Sequence, residues 1–133
     1  MRAPLPPILA RLLVFTPPVG LCGLIWYLSS QPTLPDTQVN DKVMHFMVYG
    51  LLSALWTRAW WMTTNLSGLR VGLSAFALTA VYGAIDELHQ SFVPGRDASA
   101  LDLLADAGGA AVGAALMATL YVLTLRLAPD SRK

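Results

Sequence analysis

Four apolar segments, each about as long as a bilayer is thick, constrain the fold of this chain more than any other feature. They cover residues 8–29, 42–62, 69–90 and 101–126. The hydrocarbon core of a membrane is about 30 Å thick and takes about 20 helical residues to cross. Charged residues make up only 13% of the 133 residues, about half the share that a soluble domain carries. We therefore predict an all-α, integral membrane four-helix bundle that forms a single domain over residues 1–133.

The first apolar segment could also be part of a cleaved signal peptide. Its apolar region is too long for one, and no small-x-small cleavage site follows it, so we interpret it as a membrane helix. Residues 29–40, which come next, are polar and rich in Pro and Thr. They are predicted to form a loop.

The lysines and arginines predict which side of the membrane each helix end faces. If both termini are cytoplasmic, seven of these residues lie inside, namely Arg2, Arg11, Arg58, Arg70, Arg126, Arg132 and Lys133. Only Lys42 and Arg96 then lie outside. Because short cytoplasmic loops carry an excess of Lys and Arg, we expect both the N-terminus and the C-terminus to be cytoplasmic.

The acidic residues have the opposite distribution. In this orientation seven of the eight lie at the outer end, namely Asp36, Asp41, Asp86, Glu87, Asp97, Asp102 and Asp106, and Asp130 lies inside. Both histidines, His45 and His89, are also at the outer end. Acidic groups within or beside a membrane span are costly. Their recurrence at one depth predicts an acidic, histidine-bearing pocket that opens outward.

Helical spacing groups these polar residues into three stripes, because residues three or four apart share a helix face. The stripes are Asp41, His45 and Tyr49 in the second segment, Asp86, His89 and Gln90 in the third, and Asp102 and Asp106 in the fourth. A bundle that turns these stripes inward would bring them together at one membrane face.

Two further patterns predict local structure. Pro94 and Gly95 suit the two central positions of a type II turn, and this turn would direct Arg96 back toward the acidic residues. Gly109 and Gly113 have the small-xxx-small spacing that lets membrane helices approach closely. We interpret the second pattern as a packing feature.

Several motifs resemble the VanZ-like family of small bacterial membrane proteins. They are WYLSSQP at 26–32, DKVMHF at 41–46 with Tyr49, DELHQSFVPGR at 86–96, and then Asp102, Asp106, Gly109 and Gly113. The resemblance covers about residues 24–116 and implies a multi-pass protein of the bacterial cytoplasmic (inner) membrane with a role in the cell envelope. The family takes its name from an accessory protein of glycopeptide (teicoplanin) resistance. The resemblance implies no particular reaction.

The polar residues at the outer end of the bundle are predicted to form one functional site. The candidates for catalysis are His45, Asp86, Glu87, Arg96 and Asp102. The candidates for substrate binding are Asp41, Lys42, Tyr49, His89, Gln90 and Asp106. The candidates for metal ligands are Asp86, Asp102 and Asp106. A divalent cation is the candidate cofactor, since carboxylates suit Mg²⁺ or Mn²⁺ and histidine suits Zn²⁺, and Arg96 or Lys42 would hold a phosphate.

Several functions fit this site. One is an enzyme at the outer leaflet that acts on a lipid-linked or envelope substrate, through a metal or through Asp86 or Glu87 as general base. Another is a binding or accessory protein whose acidic pocket attracts a cationic ligand. A transport component would need an oligomer, because four helices without an inverted repeat make a poor transporter. In a purely structural alternative, the charges hold the helices together. The lipid bilayer is the expected partner, and binding to nucleic acid is not expected.

Overall fold

A computed structural model describes residues 7–33 and 39–127 of the chain, which form four α-helices. These are α1 (Pro7–Ser29), α2 (Asp41–Thr63), α3 (Gly68–Gln90) and α4 (Ala100–Leu127). The prediction of an all-helical, four-helix fold is confirmed, and each helix begins and ends within one residue of its predicted segment. Five residues of the charge argument lie outside the described residues, namely Arg2, Asp36, Asp130, Arg132 and Lys133.

Three of the four helices, α1, α3 and α4, are long and apolar enough to cross a membrane. The second helix is also long enough, since 23 residues span about 34 Å at 1.5 Å per residue. It is less apolar because it carries His45, Arg58 and three tryptophans. Of the four predicted membrane spans, three therefore have both the length and the apolar composition that a span requires.

The packing is inverted relative to that of a soluble protein. Large apolar side chains are exposed on all four helices, for example Ile8, Leu51, Leu73 and Leu116. The buried residues of α2, α3 and α4 are mostly small or polar. Apolar side chains facing outward and small residues between helices are typical of proteins whose solvent is lipid.

The closest helix pair is α2 with α4, and glycines make this approach possible. A Cβ atom on Gly109 would collide with the backbone carbonyl of Phe46, and one on Gly113 would collide with that of Gly50. The small-xxx-small pattern at 109 and 113 thus lies where the two backbones meet, as the sequence predicts.

The helices are arranged around α2, which packs against each of the other three. The fourth helix also packs against α3. The first helix contacts α2 and α3 but, within the described residues, not α4. The C-terminal ends of α1 and α3 and the N-terminal ends of α2 and α4 therefore meet at one end of the bundle.

Candidate functional site

The helix ends that meet here differ in how well they accept negative charge. Asp41 and Asp102 lie in the first turns of α2 and α4, where the helix dipole favours a carboxylate. Asp86 and Glu87 lie in the last turns of α3, where the dipole disfavours one. Since both are buried, their carboxylates depend on contacts from other parts of the chain.

Asp86 obtains such contacts from three helices. Its Oδ2 accepts hydrogen bonds from the Ser29 hydroxyl at 2.8 Å, the Tyr49 hydroxyl at 3.0 Å and the Gln90 amide at 3.1 Å. Its Oδ1 is buried without a hydrogen-bond partner. One carboxylate oxygen thus joins α1, α2 and α3, and the other remains free to accept.

The loop after α3 brings Arg96 to this network. The Arg96 amide donates to the Val93 carbonyl at 3.1 Å across a turn in which Gly95 has φ +88°. This is the geometry of a type II turn, which requires positive φ at its third residue. The Arg96 guanidinium donates to Gln90 Oε1 at 2.9 Å, and Gln90 in turn donates to Asp86. Arg96 thus reaches Asp86 through Gln90 and, among the described residues, forms no direct ion pair with an acidic side chain.

A second group of contacts joins α2, α3 and α4. His45 Nδ1 donates to Asp106 Oδ1 at 2.8 Å, and it lies 3.9 Å from Glu87 Oε1. Glu87 Oε2 accepts a hydrogen bond from the Ser99 amide at 2.9 Å. Nearby, Lys42 Nζ and Asp102 Oδ1 form an ion pair at 2.7 Å. The four buried carboxylates, Asp86, Glu87, Asp102 and Asp106, are called the acidic cluster below.

A cavity of about 110 Å³ lies between the ends of α1, α2 and α3. It is called the helix-end cavity and is lined by Ile25, Leu28, Ser29, Asp41, Met44, His45, Val48, Tyr49, Asp86, Gln90 and Arg96. The cavity therefore combines an arginine, a histidine and two carboxylates with apolar side chains.

Charge is not balanced by direct contacts within the acidic cluster. Three of its oxygens, Asp86 Oδ1, Glu87 Oε1 and Asp106 Oδ2, are buried without a hydrogen-bond partner. Among the described residues, Lys42 is the only Lys or Arg that forms an ion pair with the cluster, through Asp102. Because an unpaired buried charge is costly, the remaining carboxylates are suited to take up a cation or a proton.

Most of the predicted site residues lie together, but His89 is turned away. It stacks on Trp26, with ring centroids 4.0 Å apart, and its Nε2 lies 3.0 Å from the Ser30 hydroxyl. It does not line the helix-end cavity. Asp41 lines the cavity, but its side chain is 63% exposed and lies 4.0 Å from His45 Nε2.

The predicted metal ligands are divided between two groups of potential ligands. One consists of His45, Glu87 and Asp106, and the other of Asp41, His45 and Asp102. Asp86 belongs to neither of these groups. Its Oδ2 is already occupied by three donors, which makes it better suited to hold helices or substrate than a metal.

Three serines have contacts at the site that the sequence did not predict. Ser29 binds Asp86, Ser30 contacts His89, and the Ser99 amide binds Glu87. Ser29 and Ser30 fall in the predicted loop 29–40. Both belong to the WYLSSQP motif, which is the sequence feature that indicates a role for them. The Ser99 contact uses its backbone, so no side-chain pattern could have indicated it.

A family model described as VanZ/LLP1 matches residues 15–123. No curated protein matches the chain, and no solved structure does. The matched residues include every residue of the helix-end cavity and of the acidic cluster.

Proposed function

The chain belongs to the VanZ/LLP1 family, and we propose that it binds the polar end group of a lipid-linked envelope substrate in the helix-end cavity. In this proposal it is a single-domain, multi-pass protein of the bacterial cytoplasmic membrane. Both termini lie in the cytoplasm, and the cavity lies at the outer leaflet.

The observation that carries the proposal is the mixed lining of the helix-end cavity. Asp86, His45 and Arg96 contribute charged and polar groups to the lining, and Leu28 and Met44 contribute apolar groups. Leu28 and Met44 are also exposed on the outer surface of the bundle. A substrate with a polar end and a lipid anchor matches this lining, since its anchor can remain in the bilayer while its end group enters.

The size of the cavity limits what enters it. Sites for whole drug-sized ligands measure about 300–1,000 Å³, and the helix-end cavity measures about 110 Å³. It therefore accommodates a small polar end group and leaves the rest of the substrate outside.

Charge determines which end groups are suitable. The Arg96 guanidinium is planar and binds phosphate or carboxylate groups through two parallel hydrogen bonds. Asp86 retains a buried oxygen, Oδ1, that has no hydrogen-bond partner and can accept from a donor on the end group. The lining therefore favours an end group that carries both an anionic oxygen and a hydroxyl or amine donor.

The distribution of Lys and Arg supports the orientation. Among the described residues, Arg11, Arg58, Arg70 and Arg126 lie toward the end of the bundle opposite the cavity. Short cytoplasmic loops are enriched in such residues. This distribution supports the proposed orientation, in which the cavity faces the outer leaflet and its lipid-linked envelope substrates.

A structural role for part of the acidic cluster is favoured by the ion pair between Lys42 and Asp102. The Asp102 side chain is 6% exposed, and the pair joins α2 to α4. The Lys42 side chain is 42% exposed, so removal of Lys42 would leave the buried Asp102 carboxylate without its partner. We therefore assign this pair to helix packing rather than to the substrate.

The proposal is tested by replacing Arg96 in a bacterial strain that depends on this chain for envelope integrity. Arg96→Gln should abolish the envelope phenotype, scored for example as glycopeptide tolerance, at normal membrane abundance. Arg96→Lys should restore it partly, because lysine keeps the charge without the two-pronged geometry. The control is Arg70→Gln, an exposed arginine at the opposite end. Wild-type phenotype in Arg96→Gln would contradict the proposal.

A further inference from the structure

We propose that His45, Glu87 and Asp106 form a Zn²⁺ site between α2, α3 and α4, adjacent to the helix-end cavity. The Zn²⁺ site rests on the proposed function in one respect, because His45 also lines the cavity in which the substrate end group is proposed to bind. The metal ligands Glu87 and Asp106 lie outside the lining.

Two of the three proposed ligand residues each have a buried oxygen without a hydrogen-bond partner. Glu87 Oε1 and Asp106 Oδ2 have no partner, and the two residues are 7% and 0% exposed. Their other oxygens are bound, by the Ser99 amide and by His45 respectively. A carboxylate that is ordered through one oxygen while the other stays buried and unpartnered carries uncompensated charge, and a bound cation would compensate it.

The distances suit a metal ion better than a direct ion pair. Glu87 Oε1 lies 3.9 Å from His45 Nδ1, which is too long for a hydrogen bond. An ion about 2.0–2.2 Å from each atom, as zinc is from nitrogen and oxygen ligands, bridges this gap. One ligand atom from each of His45, Glu87 and Asp106 lies within 4.8 Å of the other two. Metal binding at Nδ1 would displace the ring proton that now forms the hydrogen bond to Asp106 Oδ1.

The displaced proton has an acceptor on the far side of the ring. A histidine that binds a metal through one nitrogen usually donates its other N–H to a carboxylate. Asp41 Oδ2 lies 4.0 Å from His45 Nε2, and the Asp41 side chain is 63% exposed and free to move closer. Movement of the ring proton from Nδ1 to Nε2 would keep the imidazole neutral, as a metal ligand must be.

The second group of potential ligands, Asp41, His45 and Asp102, is a weaker candidate. Asp102 Oδ1 already accepts from Lys42 Nζ at 2.7 Å, so a metal there would compete with a cation in place. The mixed donor set also selects the metal. Imidazole favours zinc over magnesium and calcium, and three protein ligands with one open position are typical of a catalytic zinc site.

The test measures Zn²⁺ binding by the purified, tag-free full chain in detergent, after removal of metal with a chelator. Titration against a chromophoric chelator should give one Zn²⁺ per chain, with weaker binding of Mg²⁺ and Ca²⁺. Glu87→Gln and His45→Gln should each weaken Zn²⁺ binding by more than the roughly 10–100-fold that loss of an outer-shell partner costs. Glu87→Gln keeps an oxygen for the Ser99 amide and so is expected to fold.

Matched controls are available on the same elements. His89→Gln removes the other histidine, and Asp102→Asn removes the other buried acid of α4. Both should bind Zn²⁺ like the wild type. The proposal is overturned if Glu87→Gln binds Zn²⁺ normally, or if Asp102→Asn loses binding while Glu87→Gln retains it. If Zn²⁺ binding fails while the phenotype still depends on Arg96, only this inference is lost and the proposed function stands.

Discussion

At the scale of single residues, Asp86 shows how a membrane protein stabilises a buried carboxylate. It lies near the C-terminal end of α3, where the helix dipole opposes its charge, and it is 1% exposed. Three donors converge on its Oδ2, from Ser29, Tyr49 and Gln90. Hydrogen bonds to a charged group contribute about 1.5–3 kcal/mol each, so the contacts offset the unfavourable position while Oδ1 remains available.

Substitutions of Asp86 should separate stability from function. Asp86→Asn keeps an oxygen for the three donors and removes the charge, so we expect near-normal melting temperature and loss of the envelope phenotype. Asp86→Ala leaves the donors without their acceptor. Because each unsatisfied buried group costs about 1–3 kcal/mol, we expect a loss of at least about 2 kcal/mol in stability.

The measurement is thermal unfolding of the purified variants in detergent, together with their abundance in membranes. Asp97→Ala serves as the control, since Asp97 is exposed and surface substitutions usually change stability by less than about 0.5 kcal/mol. If Asp86→Ala unfolds at the wild-type temperature, the three hydrogen bonds do not contribute to stability.

At the scale of helices, the contact between α2 and α4 determines the geometry of the site. Gly109 and Gly113 let the two backbones touch near Phe46 and Gly50. This close approach brings Lys42 to Asp102 and His45 to Asp106. A shift of a few ångströms between the two helices would break both pairs, so the glycine contacts one to two turns deeper in the bundle control the contacts at its end.

Replacing these glycines should therefore damage folding. Gly109→Leu and Gly113→Leu force the backbones apart, and we expect strongly reduced abundance in membranes and poor extraction into detergent. Gly20→Leu and Gly23→Leu are matched controls on α1, where an added Cβ atom meets nothing within 4 Å. Wild-type accumulation of Gly113→Leu would show that the close approach is dispensable.

At the scale of the whole molecule, every charged contact described above lies at one end of the bundle. The described residues between α1 and α2 (30–33 and 39–40) and the loop 91–99 are at this end, and the connection 64–67 is at the other. The proposed orientation places the first two outside and the third in the cytoplasm. It also decides whether the helix-end cavity meets substrates of the outer leaflet.

Reporter fusions test this orientation directly. A reporter that is active only outside the cytoplasm should be active when inserted at 91–99 and inactive at 64–67, and a cytoplasmic reporter should show the reverse. The expectation rests on the excess of Lys and Arg at the inner ends. A cytoplasmic signal from 91–99 would reverse the orientation and remove the outward-facing cavity from the proposed function.

The amino-acid sequence determined the helices, the turn and the glycine contact, because each depends on local properties. The length of an apolar run is matched to the thickness of a bilayer, and positive φ at Gly95 follows from the Pro94-Gly95 pair. Helical spacing is another local property, and it predicts that Asp41, His45 and Tyr49 share one helix face. Of these, His45 and Tyr49 face the acidic cluster.

The pairing of the charged groups depends on how the helices pack against one another. Helices in lipid carry apolar residues on all sides, so hydrophobic periodicity does not mark the buried face as it does in a soluble protein. The rotation of each helix therefore follows from its packing. Helical spacing groups His89 with Asp86, but the two residues lie about 60° apart around the helix axis. Packing turns the His89 ring toward Trp26. Ser29 reaches Asp86, and His45 reaches Asp106, only because helices distant in sequence come into contact.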